Sequence, residues 1–109
     1  MQQDDYLQVI KDHLRTSYLL SEEKIEEVLP RFITIVAALI TELEEVSGTE
    51  NIEAINRTGH SMKGALLNLG LLQLADIAFR IEKFDPVSGS GTDVTKYIAE
   101  LKFELRKIT

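Results

Sequence analysis

The sequence predicts an all-α fold, an antiparallel four-helix bundle with an additional N-terminal helix. Apolar residues recur three and four positions apart through most of the chain, the spacing of one face of an α-helix. No segment alternates apolar and polar residues as a half-buried strand would. Caps and breakers cut the chain into helix-length pieces with mostly short links, which sets sequential helices side by side and antiparallel. With 109 residues, 44% of them hydrophobic, the chain can bury one modest core. The expected organisation is an N-terminal helical extension over residues 1–20 and the bundle over residues 21–109.

The first helix runs from Asp4 to about Tyr18, with Leu7, Ile10 and Leu14 as its apolar face. Ser21 reads as an N-cap, and Glu22 and Glu23 suit the positive end of the helix that follows. Ile25, Leu29, Phe32, Val36, Leu39, Leu43 and Val46 then keep a seven-residue apolar repeat up to Gly48, a helix stop. Pro30 falls inside this run. A proline there removes a hydrogen bond and clashes with the preceding turn, so a kink or break is expected near Val28 and Leu29.

Thr49 is the expected cap of the central helix, whose seam is Ile52, Ile55, Gly59, Met62, Leu66 and Leu69 and whose C-cap is Gly70. The next helix spans residues 71–84 and turns Leu74, Ile77, Ala78 and Ile81 inward. Residues 85–91 collect proline, serine and glycine and read as the one long loop. Thr92 or Asp93 opens the last helix, with Val94, Tyr97, Ile98, Leu101, Leu105 and Ile108 on one face.

Several functions are excluded by composition. The net charge of −6 argues against nonspecific nucleic-acid binding, which needs a basic footprint. The charge is uneven: residues 1–50 hold eleven acids and four bases, residues 51–109 seven acids and eight bases. An anion would therefore meet less repulsion on the second half. The apolar run from Phe32 to Leu43, interrupted by Thr34, Thr41 and Glu42, is too short to span a bilayer. The N-terminus is polar and acidic and shows no signal pattern, so a cytoplasmic, membrane-free protein is expected. No cysteine is present and the two histidines, His13 and His60, lie far apart, a poor supply of metal ligands. No nucleotide-binding glycine loop occurs. His13 reads as an ordinary surface or boundary residue.

His60 is different. At roughly 100° per residue it lies a quarter turn or more from most of the central seam. Its own face holds Asn56, Arg57, Lys63, Gly64 and Leu67. A neutral imidazole nitrogen is a competent nucleophile near physiological pH. Attack on phosphorus needs an in-line approach by a bulky donor. Gly64, one turn on, leaves that space at a helix-propensity cost of about 1 kcal/mol relative to alanine. Lys63 can reach phosphoryl oxygens as a point charge.

The segment His60-Ser61-Met62-Lys63-Gly64, followed by Gly70, resembles the histidine-containing phosphotransfer (HPt) family, whose core pattern is His-x-(apolar)-Lys-Gly-x5-Gly. Leu71-Leu72-Gln73-Leu74-Ala75 and Arg80-Ile81-Glu82 are similar to the family's next helix. The likeness covers residues 21–109 in helix order and 60–82 in detail. Ala65 fits the small residue common after the glycine. Leu66, on the seam, and Leu67, near the histidine, are bulkier than is usual.

The resemblance implies a phosphoryl carrier without autonomous catalysis. His60 would take a phosphoryl group from a receiver-domain aspartate and pass it to another receiver domain. The implied partners are response-regulator receivers and a hybrid sensor kinase, with the chain a monomer. It would bind no cofactor, magnesium sitting in the partner receiver. Lys63, Gly64, Leu67 and Arg57 would stabilise the phosphate or dock the partner. Glu82 or Gln73 would hydrogen-bond the other ring nitrogen. Two alternatives stay open: a phosphoacceptor domain of a chemotaxis-type kinase, and a non-catalytic helical-bundle adaptor.

Overall fold

The apolar periods resolve into five helices: α1 (Gln3–Ser17), α2 (Glu22–Ser47), α3 (Ile52–Asn68), α4 (Leu72–Glu82) and α5 (Gly91–Leu105). The computed structural model describes residues 1–87 and 91–109, the latter from 94 onward with their side chains. No strand occurs among the described residues. No described helix is long and apolar enough to cross a membrane. The loop expected over residues 85–91 begins with a turn at Pro86 and Val87, and its part at 88–90 lies outside the described residues. The last helix opens at Gly91, just before the expected Thr92 or Asp93.

α2 to α5 close a ring of contacts, with α2 against α3, α3 against α4, α4 against α5, and α5 back against α2. α2, at 26 residues, is about 39 Å long and is the longest helix of the bundle. Its start is the one the sequence marks: Ser21 Oγ accepts the Lys24 amide at 3.2 Å. Pro30, however, sits inside a continuous helix, so the expected break does not occur. The bond lost at Pro30 would have gone to the carbonyl of Glu26, a residue on the exposed side of α2.

α3 begins later than the sequence suggests. Asn51, not Thr49, is its N-cap, with Oδ1 accepting the Ala54 amide at 3.0 Å. Thr49 instead turns its hydroxyl back onto the Val46 carbonyl at 2.7 Å. The end of α3 is a Schellman motif. The Leu71 amide donates to Leu66 O at 3.0 Å and the Gly70 amide to Leu67 O at 3.1 Å. Gly70 has φ +75°, which a side chain would strain.

The core runs through all five helices: Ile10 and Leu14, Ile25 and Leu43, Met62 and Leu66, Ile81, Leu101 and Leu105 are fully buried. In α1 the deep residue near the N-terminus is Tyr6, while the expected Leu7 is half-buried. Tyr6 donates its hydroxyl to Glu104 Oε2 on α5 at 3.1 Å, and burial above all pushes the phenol up to about 12. α1 is tied down along its length. His13 packs on Gly70, where a Cβ would come within 2.5 Å of its ring. The Tyr18 hydroxyl donates to Asn68 Oδ1 at 3.1 Å, and Arg15 pairs with Glu22 at 2.6 Å. α1 thus covers the end of the bundle where α3 turns into α4. This gives His13 a packing role.

Candidate functional site

The buried seam of α3 decides which residues face outward. Ile55, Gly59, Met62 and Leu66 are buried, so the opposite face carries His60, Gly64 and Leu67 into solvent. His60 has a side chain 67% exposed.

Gly59 sets how closely α4 approaches that face. A Cβ there would lie 2.6 Å from the Glu82 amide nitrogen and 2.9 Å from Ile81 Cγ2. Only glycine lets the two backbones come this near. Asn56 then fastens the end of α4: its Nδ2 donates to the carbonyls of Ile81 and Phe84, both at 3.0 Å. Ile81 lies in the last turn of α4, where the Phe84 amide also donates to its carbonyl at 3.2 Å, and Phe84 follows the helix. Gly59→Ala should therefore destabilise the protein by about 1–3 kcal/mol, because the overlap is with backbone. A lowered thermal midpoint checks this, although alanine is the better helix former.

The consequence of that approach is a shared carboxylate. Glu82 Oε1 is hydrogen-bonded to His60 Nδ1, and Oε2 accepts Lys63 Nζ at 2.8 Å. The Glu82 side chain is 13% exposed. Lys63 chiefly, and His60 with it, hold this carboxyl below the usual carboxylate range against the opposing effect of burial. An ionised carboxylate only accepts hydrogen bonds. Nδ1 must therefore carry the proton, and in the neutral ring Nε2 is left with a free lone pair.

The surroundings of the ring are open on one side. A Cβ built at Gly64 meets nothing within 4 Å. Leu67 is 44% exposed, and Arg57 is exposed with no ion-pair partner among the described residues. Lys63 is less free than its spacing suggests. Its ammonium is occupied by Glu82 and lies 5.2 Å from the Phe79 ring centroid. A phosphoryl group on His60 would have to meet the N–H donors of Lys63 that Glu82 does not use.

Gln73 is placed elsewhere. It stands at the start of α4, exposed, beside a groove of about 240 Å³ lined also by Tyr6, Val9 and Leu72. Of the two candidates, Glu82 is the partner of Nδ1. No group of three or more His, Cys, Asp or Glu residues that could hold a metal occurs among the described residues. Sequence reasoning missed Phe79 altogether, and it placed Gly59 in the seam and Asn56 on the face of His60 without seeing that both hold α4 against α3. At Gly59 the available signal was a glycine within a helix seam.

A family model described as Hpt domain matches residues 27–107. The chain belongs to the Hpt-domain family, whose members are histidine phosphocarriers that interact with receiver domains in phosphorelays. The match starts within α2, so α1 lies outside it. Comparisons with curated proteins and with solved structures returned no significant match.

Proposed function

We propose that this protein is a phosphorelay carrier in which Nε2 of His60 takes a phosphoryl group from an aspartyl phosphate of one receiver domain and gives it to the aspartate of another. The supporting observation is the Glu82 carboxylate on Nδ1, which in the neutral ring leaves the lone pair on Nε2, on an exposed side chain beside the open space at Gly64. As the Nε2–P bond forms, the P–O bond to the donor aspartate breaks and that carboxylate leaves with its electron pair. No proton has to be removed from Nε2. The ring becomes a phosphorylated imidazolium that still carries its Nδ1 proton, and Glu82 faces the new positive charge.

Transfer of a phosphoryl group depends on positioning and on neutralising its charge. The lysine beside His60, Lys63, is already paired with Glu82. Magnesium and a second cation would come from the receiver, and the isolated chain would neither hydrolyse ATP nor phosphorylate itself. The carrier would act in the cytoplasm as a monomer, with a hybrid kinase upstream. Transfer would run in both directions.

Mixing with a phosphorylated receiver tests this. The label should move to the chain as an acid-labile, base-stable phosphoramidate, and His60→Gln should abolish it without loss of helicity. Chelating magnesium should stop transfer but not docking. A stable phosphoprotein formed from ATP by the isolated chain contradicts the assignment.

A further inference from the structure

Phe79 stands on α4 one turn before Glu82, is 42% exposed, and has no place in the buried cluster. One exposed apolar residue needs no explanation by itself. What distinguishes this one is its company. The ammonium of Lys63 lies 5.2 Å from the ring centroid and that of Lys83 lies 5.7 Å away, both within cation–π range. Lys63 is therefore held at two points, by Glu82 Oε2 at 2.8 Å and by the aromatic face. A lysine on one oxygen can swivel, because its stem is flexible and its three donors are equivalent. A second contact removes most of that freedom.

We propose that Phe79 is a positioning residue for the phosphoryl acceptor, acting through Lys63 and Glu82 on the ring of His60. Resting on the reading of His60 as that acceptor, the chain of contacts is continuous: ring face to ammonium, ammonium to carboxylate, carboxylate to Nδ1. Loosening Lys63 lets the Glu82 carboxylate rotate toward solvent, and Nδ1 loses the acceptor that fixes its proton. A partner that covers this face would strip water from the exposed ring. Cation–π attraction rises on desolvation, so the clamp would tighten as the donor docks.

The test compares Phe79→Leu, which keeps apolar bulk without an aromatic face, with Phe79→Trp, which offers a stronger one. Two quantities are read on the full chain. One is the fraction of neutral His60 carrying its proton on Nδ1, from imidazole 15N shifts. The other is the rate of His60 phosphorylation by phosphoramidate, a small donor that needs no docking surface. In that reaction the Nε2–P bond forms, the P–N bond breaks, and ammonia leaves after taking a proton from solvent. Phe79→Leu should lower the rate roughly two- to fivefold and shift the tautomer population away from Nδ1–H. Phe79→Trp should match or exceed the wild type in both. A leucine variant equal to the wild type in both readouts overturns the proposal, as does a tryptophan variant as impaired as the leucine one. His60→Gln runs alongside. Labelling of that variant would remove the acceptor reading, while the tautomer measurement still judges Phe79 separately.

Discussion

Gly64→Leu is expected to leave transfer from a phosphorylated receiver undetectable while making the protein more heat-resistant. The stability gain follows from helix propensity. Leucine ranks just below alanine as a helix former and glycine about 0.8–1 kcal/mol below alanine, and a Cβ at this position meets nothing within 4 Å. In a domain of this size that shifts the midpoint upward by about 4 °C. The loss of transfer follows from the same open space. Nε2 must come within about 3–3.5 Å of phosphorus along the line of the breaking bond, and a leucine one turn away projects into the donor's path. Melting curves and transfer rates on one preparation check both halves. Transfer at the wild-type rate would show that the gap beside His60 is not used by the donor.

Glu82→Ala should slow transfer about ten- to a hundredfold, the value of one charge-assisted hydrogen bond of roughly 1.5–3 kcal/mol. Without the carboxylate, Nδ1–H is no longer fixed, and the phosphorylated imidazolium loses its counter-charge. Glu82→Gln should fall between the two, since an amide oxygen accepts the same proton without the charge. The bridge has a pH dependence of definite sign. The Glu82 pKa is lowered on folding, so the bridge stabilises the fold fully above the unfolded glutamate value of about 4.3. That contribution is lost as the pH falls through the lower folded value. Acid titration of the melting midpoint, compared between wild type and Glu82→Ala, reads it directly. Equal slopes in the two proteins would deny the bridge any share in stability.

The outward histidine could be read by counting residues along α3, because a seam of Ile55, Met62 and Leu66 leaves only one direction for His60. The stops at Gly48 and Gly70 and the start at Ser21 were equally legible, each being a local chemical rule. What escaped was decided between elements or by solvent. Thr49 and Asn51 can both cap a helix, and the choice fell to Asn51 once Thr49 had bonded Val46. Pro30 looked like a break because sequence alone does not show that it falls on the exposed side of α2. Tyr6 displaces Leu7 from the core because Glu104, at the far end of the chain, receives its hydroxyl. Glu82 and Gln73 could not be separated without the pairing of α3 with α4, and that pairing depends on one missing side chain, at Gly59. Phe79 carries no motif at all. Its relation to Lys63 exists only in three dimensions.

The most direct measurement is the nitrogen that carries the phosphoryl group. Long-range 1H–15N correlation on the chain, labelled by a phosphorylated receiver, identifies the modified ring and its remaining proton together. The account predicts phosphorus on Nε2 of His60 with the proton kept on Nδ1, toward Glu82. Phosphorus on Nδ1, or on any residue other than His60, would contradict it.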